Sequence, residues 1–213
     1  MKLVSAAEMK ACDLYTIETL GVPALLLMEH AALAVVEEML RLENLAKCKI
    51  LVACGSGNNG GDGFAIARLL KVKGYQVELL FVGNPEHLTA ETKLQKTICE
   101  NYQIPLYTQL PKNPDYAVLV DAILGIGLKK IVYPHIGQVI EALNQLKLFV
   151  FAVDLPSGLS GDSGEILGQA IRADKTITFQ FKKFGLTKQP AKQFAGEILV
   201  KDIGVSDQPL ISH

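Results

Sequence analysis

The chain predicts an α/β fold, a mostly parallel sheet with helices on both faces. Three observations carry that expectation. From residue 49 onward, short apolar runs alternate with longer segments of helical period. The apolar runs are continuous rather than alternating, as in strands buried on both sides. A glycine-rich loop, Cys54-Gly55-Ser56-Gly57-Asn58-Asn59-Gly60-Gly61-Asp62-Gly63, stands between the first of these strands and the next helix, with five glycines in its last nine positions. Glycine frees a backbone to turn sharply and to approach a ligand closely.

In chain order, residues 5–19 and 22–43 read as helices, separated by Gly21 and Pro23. The second carries Met28, Ala32, Val35, Val36 and Met39 on one apolar face, with Glu37, Glu38 and Arg41 largely away from it. His30 reads as a satisfied core or interface histidine. Strand 49–54 leads through the glycine loop to a helix at 63–73, closed by Gly74. Strand 77–82 precedes a helix at 88–101, and a short strand is expected near 104–108. Strand 116–121 is followed by a helix at 134–146. Strand 148–154 and two later ones, 174–179 and 197–202, complete the sheet, and the tail Ser206–His213 is expected to fray.

Composition narrows the function. The 213 residues are 49% hydrophobic and 20% charged, which describes a folded chain able to bury a core. A net charge of −1 supplies no general attraction to nucleic acid or to a membrane surface. Cys12, Cys48, Cys54 and Cys99 form no C-x-x-C pair, so zinc and thioredoxin-like chemistry are unsupported. The first residues lack the apolar core of a signal peptide, and no run reaches membrane-spanning length. A cytoplasmic location is the expectation.

The glycine loop follows strand Ile50-Leu51-Val52-Ala53 and opens a helix, whose free N–H groups favour an anion. Gly55, Gly57 and Gly60 match G-x-G-x-x-G. An ordinary NAD site would place an acid at the end of the next strand, where Gly83-Asn84 stands instead. No Lys-Ser or Lys-Thr follows the glycines, so the loop is not a Walker A loop. Asp62 reads either as a helix N-cap or as a ligand group, and Asn58 and Asn59 as turn residues or ligands.

Two further strand ends carry similar chemistry, Val120-Asp121-Ala122-Ile123-Leu124-Gly125-Ile126-Gly127 and Ala152-Val153-Asp154-Leu155-Pro156-Ser157-Gly158. Ligands of open parallel sheets bind beyond the carboxyl ends of the strands. Asn59, Asp121 and Ser157 together offer an amide oxygen, a carboxylate and a hydroxyl, a set that suits a hard cation. Asp154 would face the same cleft and move a proton. Lys183 reads first as a solvated surface lysine, with a phosphate contact or an acid role as alternatives. Lys129 and Lys130 reach a phosphate or face water.

Three stretches carry a resemblance to the NAD(P)H-hydrate epimerase family, the YjeF N-terminal domain: Gly57-Asn58-Asn59-Gly60-Gly61-Asp62-Gly63, Val120-Asp121-Ala122 with Gly125-Ile126-Gly127, and Asp154-Leu155-Pro156-Ser157-Gly158. Ser5-Ala6-Ala7-Glu8-Met9 and Leu27-Met28-Glu29 are similar to the family's opening helices, so the likeness spans essentially residues 1–213 as one domain. It implies a Rossmann-like three-layer sandwich. It implies an epimerase that interconverts the R and S forms of hydrated NADH and NADPH, which carry a hydroxyl at C6 of the nicotinamide ring. Only the S form is then accepted by a separate dehydratase. By motif, Asn58, Asn59, Gly60, Gly61 and Asp62, and Gly125, Ile126, Gly127, Leu128, Lys129, Lys130 and Ile131, would hold the dinucleotide. Asn59, Asp121 and Ser157 would bind one potassium ion per subunit. Asp154 would contact the ligand and transfer a proton, with Lys183 as a second candidate. A homodimer is implied too, with no nucleic-acid or membrane partner.

The chain departs from the family pattern at Glu29-His30-Ala31-Ala32, where Glu-Asn-Ala-Gly is usual. Ile126 stands for a common Thr and Lys182 for a common Pro. With no dehydratase segment before His213, a stand-alone epimerase is expected. The alternatives are a non-catalytic nucleotide-binding or scaffold module of the same fold, and an NAD-dependent oxidoreductase, which the missing ribose acid weakens.

Overall fold

A computed structural model of the chain describes residues 2–112 and 114–211. Its strands are β1 (Leu3–Val4), β2 (Lys49–Cys54), β3 (Gln76–Phe81), β4 (Leu106–Tyr107), β5 (Val118–Ala122), β6 (Phe149–Val153), β7 (Lys175–Phe179), β8 (Lys182–Lys183) and β9 (Glu197–Lys201). The helices are α1 (Ala6–Leu14), α2 (Ala24–Met39), α3 (Asn58–Val72), α4 (Ala90–Asn101), α5 (Pro134–Gln145) and α6 (Ala191–Phe194). A π-helical turn, Tyr15–Thr19, continues α1.

Seven strands pair in the order β4-β3-β2-β5-β6-β7-β9, parallel throughout. The side-chain period of two divides β2 between two helical layers. Ile50, Val52 and Cys54 join the cluster that holds Val35, Met39, Phe64 and Ile66 of α2 and α3. Leu51 and Ala53 join the opposite cluster, with Ile136, Ile140 and Leu143 of α5. This double burial is why the strand reads as an unbroken apolar run. Each fully buried Ile, Leu or Val contributes about 1.5–3 kcal/mol, so the C-terminal end of β2 is a firm mount for the loop beyond it. The chain runs from β2 outward to β3 and β4, then returns to β5 on β2's other side. The switch in direction opens a crevice between the ends of β2 and β5.

The strands lie close to their expected positions, and three local expectations are corrected. α3 begins at Asn58, not at residue 63, and its N-cap is Gly57. Asp62 therefore lies inside the helix and is not its cap. α2 stops at Met39, and Glu38, expected on the polar side, is 3% exposed, in ion pairs with Arg41 and with Lys201 of β9. A buried carboxylate persists where cations reach it. The tail is tied down rather than frayed as far as residue 211. Val205 is buried, the Ser206 N–H donates to Thr16 Oγ1 at 2.9 Å, and Asp207 pairs with Lys2 at 2.7 Å. The last two residues of that tail, 212 and 213, lie outside the described ones. His30 is exposed, with Nδ1 3.1 Å from the Ile203 carbonyl.

One pairing had no sequence signal. β1 runs parallel to β8, with Val4 opposite Lys183. The chain's first residues thereby bind beside one of the candidate site residues. α1, capped by a reciprocal pair of bonds between Ser5 and Glu8, starts from that anchor.

Candidate active site

A cavity of about 1110 Å³ opens at the carboxyl ends of the strands. Ligand pockets span about 300–1000 Å³, so its size suits a dinucleotide. Its wall takes Gly55–Asn59 and Asp62 from the end of β2 and the start of α3, and Gly83 and Asn84 from beyond β3. Ile123–Lys129 follow β5, Asp154 follows β6, and Lys183 belongs to β8. α1 and α2 close another side with Lys10, Asp13 and Met28 among others.

The glycine loop is held by close packing more than by unusual backbone angles. A Cβ on Gly60 would stand 1.9 Å from the Gly55 carbonyl oxygen, and one on Gly63 would stand 2.6 Å from Ala122 Cβ. Only glycine lets α3 start this close to the strand ends. The loop is tied on both flanks, since Gly55 N–H donates to the Ala122 carbonyl at 3.0 Å and Thr92 Oγ1 to the Gly57 carbonyl at 3.0 Å. The first N–H groups of a 15-residue helix are thus presented to the cavity without a side-chain cap.

Asp154 follows β6 with φ 65°, the left-handed region that a non-glycine residue enters at a cost of roughly 1–3 kcal/mol. Its Oδ1 accepts from Lys183 Nζ at 2.5 Å, Thr178 Oγ1 at 3.1 Å and the Phe179 N–H at 3.4 Å. Lys183 is 1% exposed, which overturns the solvated reading. Its ammonium also donates to Thr178 Oγ1 at 3.0 Å and to the Phe179 carbonyl at 2.9 Å. All three of its protons are engaged, so a phosphate contact is excluded in this arrangement. Three donors converge on one carboxylate oxygen and leave Oδ2 for a ligand.

Behind this wall, Ser157 Oγ donates to Asp121 Oδ1 at 2.5 Å and the Ser157 N–H to Oδ2 at 2.7 Å. The Leu124 N–H donates to Ser157 Oγ at 2.8 Å. Asp121 is fully buried with neutral donors only. Burial pushes its carboxyl up to about 6, against the lowering effect of bonds from Ser157 and the Ile123 N–H. Asn59 stands beside Gly125, and its Nδ2 is buried with no hydrogen-bond partner among the described residues. A half-turn of that amide presents oxygen instead. One carboxylate, one hydroxyl and one amide supply hard oxygen ligands with a single negative charge. They fit a monovalent cation better than a divalent one. Among the described residues no group of three or more His, Cys, Asp and Glu is placed to hold a metal ion.

The other candidates divide by position. Asn58, Asn59, Asp62, Gly125, Ile126, Gly127, Leu128 and Lys129 line the cavity. Gly60 and Gly61 are buried behind its wall, while Lys130 and Ile131 are exposed beyond its rim. Asp13 was missed by sequence reasoning. It lies four residues after buried Met9, hence on the same face of α1, and that spacing is the signal that could have found it. Burial and the charge of Asp154 raise its carboxyl to about 6, against the lowering effect of Lys183. Asp62, at the depth of the cavity, is held well above the ordinary carboxylate range by burial first, then by Asp154 and Asp13. Three carboxyl groups and one ammonium therefore form a coupled cluster.

Sheet order, crevice and cluster define an α/β protein of the Rossmann-like class with its site at the topological switch point. The model of the family described as YjeF-related protein N-terminus matches residues 24–185. The chain belongs to that family. It is 46% identical over 204 residues to a protein of Limosilactobacillus reuteri named NAD(P)H-hydrate epimerase, covering 95% of this chain and 96% of that one. A protein of the same name from Oenococcus oeni is 39% identical over 202 residues, with the same coverage. The crystal structure of yeast ynu0 shares the fold, with a TM-score of 0.78 at 23% identity over 95% of this chain and 87% of that chain.

Proposed function

We propose that the protein is an NAD(P)H-hydrate epimerase, a single domain over residues 1–213 that interconverts the R and S forms of hydrated NADH and NADPH in nicotinamide nucleotide repair. The Asp154–Lys183 pair carries the reading. It is a buried ion pair at a strained strand end that opens on a dinucleotide-sized cavity, in a family whose curated relatives bear this name.

Inverting C6 requires a route in which that carbon loses its handedness. The hydroxyl proton passes to Asp154 Oδ2, C6 becomes a carbonyl carbon as the N1–C6 bond breaks, and N1 receives a proton. The aldehyde turns its other face to N1 and the steps reverse. Asp154 is the group that takes and returns the hydroxyl proton, and Lys183 holds it in place and is the second candidate for proton transfer. Asn58, Asn59, Gly60, Gly61 and Asp62, with Gly125 to Ile131, bind the dinucleotide, the uncapped N–H groups of α3 favouring its pyrophosphate. Asn59, Asp121 and Ser157 would hold one potassium ion per subunit, whose charge offsets the buried Asp121 carboxylate and stiffens the wall of the site.

Leu26, Leu33 and Leu40 recur every seven residues along α2 and its C-cap and are all exposed, which supports a homodimer. The free cysteines suit a cytoplasmic setting, and no helix among the described residues is long and apolar enough to cross a membrane. A separate dehydratase would consume the S product. Incubation with R-hydrated NADPH, with the epimer ratio followed by chromatography, tests the reading. The ratio is expected to move to its equilibrium value far faster than in buffer, and an unchanged rate would favour a binding module.

A further inference from the structure

We propose that Asp13, on the α1 wall of the cavity, is the second proton-transfer group of the epimerisation, supplying N1 with its proton while Asp154 takes the one from the C6 hydroxyl. The proposal rests on the epimerase reading above.

The fold goes to some length to bring Asp13 there. β1 pairs with β8, so Val4 lies opposite Lys183 and α1 begins beside the Asp154–Lys183 pair. The Ser5–Glu8 capping box and a bond from the Ala6 N–H to Asp162 Oδ1 at 2.6 Å fix where the helix starts. At its other end Thr16 Oγ1 donates to the Cys12 carbonyl at 2.7 Å and accepts from the Ser206 N–H at 2.9 Å. The π-helical turn begins two residues after Asp13, and such turns cluster at functional sites. α1 also lies outside the segment that the family model matches.

No structural role accounts for an aspartate at this position. Asp13 makes no hydrogen bond or ion pair among the described residues, and it caps no helix. It lies midway along the continuous helical segment 6–19, away from both ends, where the helix dipole offers its charge no support. It shares its cavity with three more carboxyl groups, Asp62, Glu91 and Asp154. Burial and the charge of Asp154 act on its carboxyl strongly enough to raise it to about 6. A carboxyl tuned toward neutrality beside an ion-paired one is the arrangement that separates an acid from a base.

The step balances without a further reactant. The Asp13 carboxyl gives its proton to N1 as the N1–C6 bond breaks and its electron pair moves to nitrogen. At the same time the C6 hydroxyl proton goes to Asp154 and C6–O becomes a carbonyl. On closure from the opposite face, N1 attacks C6, the N1 proton returns to Asp13 and Asp154 reprotonates the oxygen.

The test uses the full chain and R-hydrated NADPH. Asp13→Asn is expected to lower kcat by about 10²–10⁴-fold with KM within a few-fold, and without loss of thermal stability. Asp13→Ala is expected to recover activity in formate, which replaces the missing carboxyl, while formate leaves the wild type unchanged. Asp13→Asn with near-normal kcat, or Asp13→Ala that formate fails to revive, would overturn the proposal. An inactive wild type would instead remove the epimerase reading on which it rests, and the proposal with it.

Discussion

At the residue scale, Asp154 and Lys183 depend on each other. Lys183 is buried and fully bonded, so removing the charge of Asp154 strands a buried ammonium, a loss of about 3–5 kcal/mol. Asn itself suits the left-handed backbone at this position, so Asp154→Asn is expected to fold with a Tm lower by roughly 6–20 °C. Adding Lys183→Met is expected to restore most of that loss, and a double variant no more stable than Asp154→Asn would show the pair to be uncoupled. Asp13 makes the opposite kind of contribution. Its carboxyl lies higher in the folded chain than in the unfolded one, so folding holds this proton more tightly. Below the ordinary aspartate value of about 4 both states keep the proton. As pH rises through about 6 the folded chain must ionise against burial, and stability falls. Urea unfolding of Asp13→Asn should therefore show an advantage over wild type that opens between pH 4 and 7 and reaches roughly 1–3 kcal/mol after solvent screening. A constant difference across that range would contradict the assignment.

At the scale of elements, β2 and α3 form the unit on which the site is mounted. The strand was legible in the sequence because both of its faces are buried, so its apolar run is unbroken. The start of α3 was not, because Asn and Gly in a row signal a loop by local preference. Here close packing overrides that preference, with Gly60 against Gly55 and Gly63 against Ala122. Gly60→Ala is expected to cost at least 2 kcal/mol or so, since the added carbon meets a backbone oxygen that cannot turn aside. Gly57→Ala, with nothing within 4 Å of the added carbon, should stay within about 1 kcal/mol of wild type in the same urea titration. Equal losses would place the strain elsewhere. The strand-end residues Asn59, Asp121, Asp154 and Ser157 were legible as candidates because each closes or follows an apolar strand. The burial of Lys183 was not, because it depends on a two-residue pairing with Leu3–Val4 at the far end of the chain, which leaves no periodicity to read.

For the whole molecule, parallel strands, a switch in direction between β2 and β5 and an N-terminal segment laid across the strand ends bring α1, α3 and the ends of β2, β3, β5 and β6 to one cavity. The buried carboxylate of Asp121 joins two of those ends through Ser157 and Leu124, so a cation there would act on the stability of the molecule. Exchanging potassium for choline at equal ionic strength is expected to lower the Tm of the wild type, by about 2–4 °C for each kcal/mol of binding lost. In Asp121→Asn the two salts should give the same Tm. Equal Tm values for the wild type would remove the cation from the site. The central claim, that Asp154 at the end of β6 moves the proton that inverts C6, is tested most directly by single-site kinetics. Purified R-hydrate of NADPH is given to wild type and to folded Asp154→Asn, with the S epimer followed by chromatography and binding by calorimetry. The expected result is binding by both and conversion above the spontaneous rate by the wild type alone, and conversion by Asp154→Asn at the wild-type rate would contradict it.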